Sequence, residues 1–247
     1  MSAIVTGEAY FRAITEKASD RRARAAFQQL VLRTARPGAR LFDFGAGPGI
    51  DARFYAEHGF TVAAYDADPE MRAFFSRYCE DFMDSGRVVL EQGDYREFLA
   101  PASMPAGGAF ELITSNFAPL NLVPDLRALF QKFHALAAPD ARVLASVLSP
   151  YCISDLKYRW AWRNAPRLWR DGCYTIPAAQ FPSTRRTLGN FAAHSAPYFT
   201  LERVYRGLPG FSGRDAIGVD VRRGIGWSWL QAVTSQFMFL LFRKTAH

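Results

Sequence analysis

Three glycines at alternate positions, Gly45, Gly47 and Gly49, follow a short hydrophobic segment and precede a helical one. Glycine is needed where a backbone must turn tightly and approach a ligand without a Cβ in the way. The spacing does not match the GxGxxG pattern of dinucleotide-binding loops, since position 50 is Ile, and no Gly-Lys-Ser/Thr sequence follows as in a Walker loop. The glycines predict a ligand-binding turn of another kind or, taken alone, an ordinary strand-to-helix turn.

Three carboxylates lie at or just beyond the ends of predicted strands. Asp43 stands two residues before Gly45, Asp66 follows the second strand segment and Asp94 follows the third. A carboxylate buried at the position of Asp43 is costly without a cationic or hydrogen-bonding partner, so a cationic ligand would explain it. Asp66 can accept hydrogen bonds from ribose hydroxyls, because ligands of open α/β sheets bind at the carboxyl edge of the strands. The Gly-Asp-Tyr context of Asp94 suits a helix N-cap equally well.

A parallel sheet is required to bring these residues to one edge, and the hydrophobic pattern predicts one. Short β-type segments alternate with helical segments, which is typical of a parallel sheet covered by helices on both faces and joined by right-handed crossovers. The predicted strands are 40–44, 61–65, 87–91, 110–115, 142–149, 198–205 and 236–242. The predicted helices are 19–36, 50–58, 69–83 and 124–137. The fold class is therefore α/β, a doubly wound and mostly parallel seven-stranded sheet.

The chain is long enough for one substantial core, and its 247 residues, 49% hydrophobic and 21% charged, predict a single domain over 1–247. Within it, residues 1–36 form an N-terminal helical segment. The stretch 151–190 shows no clean strand and is dense in Trp, Tyr and Arg, so it is interpreted as an inserted cap. Seven basic against two acidic residues give the cap a net charge of +5, from Lys157, Arg159, Arg163, Arg167, Arg170, Arg185 and Arg186 against Asp155 and Asp171.

The whole chain carries a net charge of +7, which indicates solubility or an anionic partner rather than a fold. The cap arginines suit either a solvated helix face or an aromatic pocket with cationic residues for an anionic or conjugated substrate. Three cysteines without a CxxC pair support neither a disulfide framework nor a Cys-based zinc site, and no metal is expected. No signal peptide is evident and the longest apolar run, 237–242, is too short to span a bilayer, so a cytoplasmic location is expected.

The glycine loop, which reads DFGAGPG from Asp43, resembles, together with Asp66 and Asp94, the cofactor loop of class I S-adenosylmethionine-dependent methyltransferases. The resemblance covers 36–149 by motif and the remainder by strand count. It implies a Rossmann-like fold, S-adenosylmethionine as cofactor, an antiparallel hairpin of the last two strands, and a lid formed by residues 1–36. It also implies the cofactor contacts, namely Asp43, Gly45, Ala46, Gly47 and Gly49 around the methionine part, Asp66 on the ribose, Ala67 and Met71 beside the adenine, Asp94 at its exocyclic amine with Tyr95 adjacent, and Asn116 and Phe117 at the methyl group.

Methyl transfer from a sulfonium is an in-line displacement with an uncharged leaving group, so alignment and desolvation matter more than a dedicated base. Asn116 is equally well explained as a turn residue and Tyr151 as a core residue. The residues expected near the acceptor are Asn116, Tyr151 and His194 in catalysis, and Tyr10, Tyr151, Arg159 and Trp160 in substrate binding.

Two absences after the fourth strand favour a small-molecule acceptor. Nucleic-acid base methyltransferases usually carry Asn/Asp-Pro-Pro-Tyr/Phe there, whereas this chain has Asn116-Phe117-Ala118-Pro119, and the paired glutamates of arginine methyltransferases are missing. We therefore expect transfer to an O or N atom of a small aromatic or anionic metabolite, with no nucleic-acid partner. The alternatives are an RNA or protein methyltransferase that uses the basic cap, and a non-catalytic cofactor-binding partner protein. No feature indicates an oligomeric state.

Overall fold

The structure, a computed structural model, describes residues 7–100, 109–152, 155, 157–177, 182–206, 217–220 and 236–246. The strands are β1 (Arg40–Phe44), β2 (Thr61–Tyr65), β3 (Val88–Glu91), β4 (Phe110–Ser115), β5 (Ala137–Leu148), β6 (Cys173–Ile176), β7 (Ser183–Arg186), β8 (Phe199–Arg206), β9 (Ile217–Asp220) and β10 (Phe237–Lys244). The helices are α1 (Gly7–Glu16), α2 (Ala18–Thr34), α3 (Ile50–Glu57), α4 (Pro69–Tyr78), α5 (Glu80–Asp84), α6 (Tyr95–Leu99), α7 (Pro119–Leu122), α8 (Leu126–Leu136), α9 (Arg159–Asp171) and α10 (Leu188–Ser195). No helix in these ranges has both the length and the apolar character needed to cross a membrane.

The main sheet has the strand order β3-β2-β1-β4-β5-β10-β8-β9. Strands β1 to β5 are parallel, and β10 is antiparallel to both of its neighbours, β5 and β8. The predicted α/β fold, with seven mostly parallel strands and an antiparallel pair at its end, is confirmed, and β9 adds an eighth strand at the edge beyond β8. Because β1 to β5 are parallel, their carboxyl ends meet at one edge of the sheet.

Helices cover both faces of the sheet because each strand directs alternate side chains to opposite sides. Leu41 of β1 packs in one core together with Phe27 of α2 and Tyr55 of α3. Phe42, the next residue, packs in the other core with Phe133 of α8. Every one of these side chains is buried, so β1 is held from both faces and the loop that follows it starts from a fixed point.

The N-terminal region consists of two helices with different attachments. α2 buries Phe27 in the core, as the predicted amphipathic helix requires. α1 instead lies against α4, where the ring centroid of Phe11 is 5.1 Å from that of Phe74 and 5.1 Å from that of Tyr78. α2 is therefore an integral part of the domain, whereas α1 lies at its margin, held by these aromatic contacts and by the buried side chain of Ile14.

Two predicted element assignments were wrong. The single helix expected over 69–83 is divided into α4 and α5 at Cys79, whose ψ of 15° is not helical. The cap, expected to lack strands, contains an antiparallel hairpin of β6 and β7 after α9. The hairpin has no signal in the sequence because β7 reads Ser-Thr-Arg-Arg, which shows no hydrophobic alternation, although Arg185 and Arg186 are both buried.

Candidate functional site

The glycine loop leaves β1 between two fixed neighbours. The amides of Gly45 and Ala46 both donate to the carbonyl oxygen of Tyr65 at the end of β2, at 2.8 and 3.0 Å. Gly45 has a φ of +71°, and a Cβ at this position would lie 2.4 Å from Cγ of Pro119 at the start of α7. Only glycine satisfies both constraints, so the loop fits closely between β2 and the segment after β4.

Gly47 lies on the more open side of this loop. Its φ is +55°, and a Cβ here would come no closer than 3.9 Å to the ring of Tyr10 in α1. Gly49 lies on the packed side, because a Cβ there would be 2.8 Å from Sγ of Cys79. The loop thus turns its middle toward α1 and its ends toward the protein interior.

Asp66 holds the middle of the loop. Its Oδ2 accepts a hydrogen bond from the amide of Gly47 at 2.7 Å, and its Oδ1 accepts one from the amide of Asp68 at 2.9 Å. Burial raises the pKa of Asp66 above its usual value, and the two amide donors act in the opposite direction. The carboxylate of Asp66 therefore lies directly against the glycine loop at the carboxyl edge of the sheet.

Arg72 joins the ends of β2 and β3 beside Asp66. Its Nη1 donates to the carbonyl oxygens of Asp66, Ala67 and Gly93, at 2.8, 3.0 and 3.1 Å. Ala67 is exposed and Met71 is half-buried in the first turn of α4. Ala67 and Met71, which were predicted to flank the adenine, thus lie close to Asp66 in the chain, at the beginning of α4.

Asp94 and Tyr95 begin α6 at the end of β3. Oδ1 of Asp94 accepts hydrogen bonds from the amides of Arg96 and Glu97, at 2.7 and 2.9 Å, while the Glu97 side chain accepts one from the amide of Asp94. This is a capping box, so the N-cap interpretation of Asp94 is confirmed. The Asp94 side chain is exposed and the Tyr95 ring is half-buried near Phe44.

Asp43 is buried with one of its two carboxylate oxygens engaged. Oδ1 accepts a hydrogen bond from Oγ1 of Thr114 at 2.8 Å, whereas Oδ2 has no hydrogen-bond partner among the described residues. Burial, with a smaller contribution from the carboxylate of Asp51, raises the pKa of Asp43 to about 8. Thr114 is therefore the hydrogen-bonding partner expected from the sequence, and it satisfies Oδ1 alone.

The raised pKa of Asp43 makes stability depend on pH in a defined direction. The folded protein retains a proton on Asp43 that the unfolded chain releases, so the free energy of unfolding should fall as the pH rises from about 4 to about 8. Asp43→Asn cannot ionise and keeps an acceptor for Thr114, so the advantage of this variant over the wild type should grow through that range. Urea denaturation at several pH values measures both profiles, and parallel profiles would contradict the assignment.

Asp51, in the first turn of α3, is a buried carboxylate with several polar partners, and the sequence did not predict its role. It forms an ion pair with Arg24 of α2, and its Oδ1 accepts a hydrogen bond from Nε2 of Gln28 at 2.8 Å. Its Oδ2 also accepts one from Nδ2 of Asn116 at 3.0 Å. Three segments that are distant in sequence therefore meet at one carboxylate.

The spacing of residues in α2 could have indicated that Arg24 and Gln28 share a buried partner. Arg24 and Gln28 are four residues apart and flank Phe27, so they share the face that the helix buries. Of the three arginines that lie close together in this segment, Arg21 and Arg22 are exposed, whereas the Arg24 guanidinium is largely buried beside Asp51.

The segment after β4 turns through two consecutive left-handed residues, Phe117 with a φ of 61° and Ala118 with a φ of 67°. Oδ1 of Asn116 accepts a hydrogen bond from the amide of Phe117 at 2.9 Å, and the Arg24 guanidinium lies 4.5 Å from the centroid of the Phe117 ring. Non-glycine residues in this conformation are strained and persist only where their surroundings hold them. Both ends of the Asn116 amide are used inside the protein, so this residue shapes the turn, as its turn interpretation predicted.

The cap is attached at the same edge by Asn121. Its Oδ1 accepts a hydrogen bond from the amide of Leu148 at the end of β5, at 2.9 Å, and its Nδ2 donates to the carbonyl of Thr184 in β7, at 2.7 Å. Nη1 of Arg185 also donates to the carbonyl of Ser149 at 2.9 Å. The β6–β7 hairpin is therefore next to the carboxyl ends of β4 and β5.

The predicted acceptor-side residues are only partly brought together. Tyr10 of α1 is half-buried near Gly47, and burial raises its pKa above the usual value. Tyr151 lies just after β5 and is 45% exposed. Trp160 contacts Tyr174 of the cap hairpin, with 6.1 Å between ring centroids, whereas Arg159 is exposed on α9.

The structure does not bring His194 to this edge. β8, which follows His194, begins at Phe199 beside Lys244, and Nζ of Lys244 donates to the carbonyl of Ala137, the first residue of β5. This is the amino-terminal edge of the sheet, opposite the glycine loop. Nδ1 of His194 lies 2.8 Å from the carbonyl oxygen of Asn190 in its own helix. We therefore assign His194 no part in the site.

Comparison with known proteins gives one family and many structures of the same fold. The family model described as "Methyltransferase domain" matches residues 12–197. No curated protein matches the chain. The TehB-like SAM-dependent methyltransferase of Corynebacterium glutamicum is 15% identical over 97% of this chain and 98% of its own, with a TM-score of 0.60.

Two further structures resemble the chain to a similar degree. An S-adenosylmethionine-dependent methyltransferase of Mesorhizobium loti is 18% identical over 89% of this chain and 98% of its own, with a TM-score of 0.59. The 1,6-didemethyltoxoflavin-N1-methyltransferase of Burkholderia thailandensis, bound to 1,6-didemethyltoxoflavin and S-adenosylhomocysteine, is 17% identical over 97% of this chain and 87% of its own, with a TM-score of 0.58. At these identities the likeness is one of fold.

Proposed function

Because the chain belongs to the methyltransferase family, as a class I S-adenosylmethionine-dependent enzyme, we propose that it methylates an O or N atom of a small aromatic or anionic metabolite. The proposal rests chiefly on one arrangement: the glycine loop, the strained turn after β4 and the cap hairpin all meet at the carboxyl edge of the sheet. The first two would hold the cofactor, and the third would limit the acceptor to a small molecule.

The residues at this edge fit the cofactor. S-adenosylmethionine carries ribose hydroxyls, which need acceptors, and a positive charge, which a carboxylate stabilises. Asp66 provides a carboxylate against the glycine loop. Asp43 has a buried oxygen without a hydrogen-bond partner among the described residues, and a positive charge nearby would favour its ionised form. We assign the ribose to Asp66, the methionine part to the loop from Asp43 to Gly49, and the adenine to the region of Ala67, Met71, Asp94 and Tyr95.

When bound, the cofactor supplies an electrophilic methyl group and a leaving group that departs uncharged. The task of the protein is then to align two reactants and exclude water. The Phe117–Ala118 turn is held by Asn116, and the Phe117 ring lies under Arg24. We assign this turn to the methyl end of the cofactor, where it would form a rigid wall. Tyr10 covers the open side of the loop near Gly47 and would keep water from it.

On the acceptor side, Tyr151 is the group best placed to orient a hydroxyl or an amine. It follows the last residue of β5 by three positions and keeps 45% of its surface exposed. Arg185 is buried beside Ser149, 3.5 Å from Asp155, and could shift toward an anionic group of the acceptor. Arg185 therefore replaces the exposed Arg159 as the cap cation that we assign to the substrate, beside Trp160.

Two observations led us to a small acceptor. The Burkholderia thailandensis enzyme of the same fold acts, by its name, on 1,6-didemethyltoxoflavin, so this fold is compatible with such an acceptor. The turn after β4 also lacks the Pro-Pro pair of base methyltransferases. Both observations favour a small metabolite over RNA or protein.

A labelling experiment tests the acceptor class. The purified enzyme is incubated with methyl-labelled cofactor and a host extract that has been separated into metabolite, RNA and protein fractions. We expect label in the metabolite fraction, with a mass increase of one methyl group on one compound. Label confined to RNA or protein would overturn the proposed acceptor class, and cofactor binding without transfer to any fraction would favour a non-catalytic role.

Removing the Asp66 carboxylate should weaken cofactor binding strongly. Asp66→Ala loses a charged hydrogen-bond partner, which corresponds to about 1.5 to 3 kcal/mol of binding free energy. Calorimetric titration with S-adenosylhomocysteine measures the change. Asp68→Ser is the matched control, because it removes a neighbouring carboxylate and keeps an N-cap for α4, so its affinity should stay close to that of the wild type. Equal losses in both variants would remove Asp66 from the ribose position.

A further inference from the structure

Helix α9 in the cap exposes two tryptophans on its outer face. Trp162 is 64% exposed and Trp169 is 91% exposed, whereas Trp160 is half-buried against the hairpin. The two exposed residues are seven positions apart, about two turns, so they lie on the same side of the helix. No residue of α9 is fully buried. An apolar surface of this kind is uncommon in soluble domains and marks an interaction site when it is contiguous.

A row of arginines runs beside these tryptophans along the whole length of α9. All four are exposed, and they recur at intervals of three or four residues: Arg159, Arg163, Arg167 and Arg170. Asp171 is the one acid of the helix, and it pairs with Arg170 at 2.8 Å. The helix therefore presents an aromatic stripe beside an arginine row, with a net charge of +3 from four arginines and one aspartate.

The remaining exposed apolar residues lie at the same end of the chain's fold. In the ranges that the structure describes, the other large apolar side chains with high exposure are Leu122, Tyr151 and Tyr158. Leu122 ends α7, which contacts β7, Tyr151 follows the carboxyl end of β5, and Tyr158 directly precedes α9. The apolar exposure is thus concentrated around the cap and the carboxyl edge of the sheet.

We propose that α9 docks this end of the protein onto the surface of an anionic lipid bilayer. Tryptophan rings favour the boundary between headgroups and acyl chains, and arginine side chains beside them reach the phosphates. Clustered basic residues on such a helix add attraction to anionic lipid. The helix would lie in the plane of the interface with Trp162 and Trp169 inserted and the arginine row at headgroup level.

The shape and charge of α9 favour a lipid surface over the other possible occupants. Single-stranded nucleic acid is bound along a positively charged groove, whereas the outer face of α9 is convex. The arginine row extends over three turns of α9 and keeps a net charge of +3 after the pairing of Arg170 with Asp171. A continuous anionic surface complements both the convexity and the length of this row. This inference does not depend on the identity of the methyl acceptor.

Vesicle flotation tests the inference with the full-length protein. We expect binding to vesicles of phosphatidylcholine mixed with phosphatidylglycerol, weaker binding at high salt, and little binding to phosphatidylcholine alone. The double variant Trp162→Ser, Trp169→Ser should lower the partition coefficient by about tenfold or more. Arg163→Gln with Arg167→Gln should lower it by roughly fivefold per charge removed. The matched control is Arg22→Gln with Arg33→Gln, which removes the same charge from exposed positions of α2 and should bind as the wild type does.

Several results would overturn the inference. They are failure to bind the anionic vesicles, equal binding by the wild type and the tryptophan variant, and equal losses in the two arginine pairs. If the wild type does not bind vesicles, two further measurements identify the partner of α9. Loss of binding to a single-stranded RNA in the tryptophan variant would indicate RNA, and loss of self-association would indicate a second copy of the chain. Thermal unfolding of each variant checks that a loss of binding does not come from misfolding. Both tryptophans are exposed, so we expect their replacement to leave the fold intact.

Discussion

Asp51→Ala should lower the free energy of unfolding by about 3 to 5 kcal/mol, the range found when one partner of a buried ion pair is removed. The Arg24 guanidinium would remain largely buried without its counter-charge, and the amides of Gln28 and Asn116 would each lose an acceptor. Urea denaturation at neutral pH measures the loss. Because Asn116 shapes the turn at Phe117, we also expect weaker cofactor binding in the fraction that remains folded.

An exposed ion pair of the same chemical type provides the control. Asp81 pairs with Arg53 at 2.8 Å, and more than half of the Asp81 side chain is exposed. Asp81→Ala should cost about 1 kcal/mol or less. The double variant Arg24→Met, Asp51→Ala should be more stable than Asp51→Ala alone, since it leaves no unpaired charge. If the double variant were no more stable, the loss would come from packing and not from the guanidinium.

Gly45→Ala should cost about 2 to 4 kcal/mol of stability and reduce cofactor affinity by at least about tenfold. The left-handed φ of +71° accounts for part of the loss. The remainder comes from the new Cβ, which would lie 2.4 Å from Cγ of Pro119. Either the glycine loop or the start of α7 must move, and both border the proposed cofactor site. Urea denaturation and calorimetric titration with S-adenosylhomocysteine measure the two effects.

The variant Gly59→Ala separates the cost of a left-handed backbone from the cost of a steric clash. Gly59 has a φ of +87°, and a Cβ there would meet no atom within 4 Å. This variant should show only the conformational cost, about 1 to 2 kcal/mol, with unchanged cofactor affinity. Equal stability losses at Gly45 and Gly59 would mean that the contact with Pro119 yields without consequence.

Much of the fold could be predicted because the central strands carry strong hydrophobic signals. β1, β2 and β4 have the bounds that the sequence predicted, since each is a nearly continuous buried run between a helix and a turn. β6 and β7 could not be predicted in the same way. They are short, and β7 places Arg185 in a buried position whose partners, Ser149 and Asp155, are distant in sequence.

The candidate site was predictable where chemistry follows from local sequence. The glycine loop and Asp66 lie together because both are fixed to the ends of adjacent parallel strands. Asp51 and Arg24 were missed because their meaning depends on a pairing across 27 residues. His194 was placed wrongly because the sequence alone does not reveal at which edge of the sheet a late strand begins.

The different attachments of α1 and α2 have a consequence for the route of ligand exchange. α2 is fixed by the ion pair of Arg24 with Asp51 and by the burial of Phe27, so we expect it to stay in place when a ligand enters or leaves. α1 is held by the contacts of Phe11 with Phe74 and Tyr78 and by the buried Ile14, with no buried ion pair of its own among the described residues. Within the described part of the predicted lid, α1 is the helix that can move without breaking the ion pair of Arg24 with Asp51. We therefore expect the residence time of a bound cofactor to be governed by Phe11, with Lys17 between the two helices as the hinge.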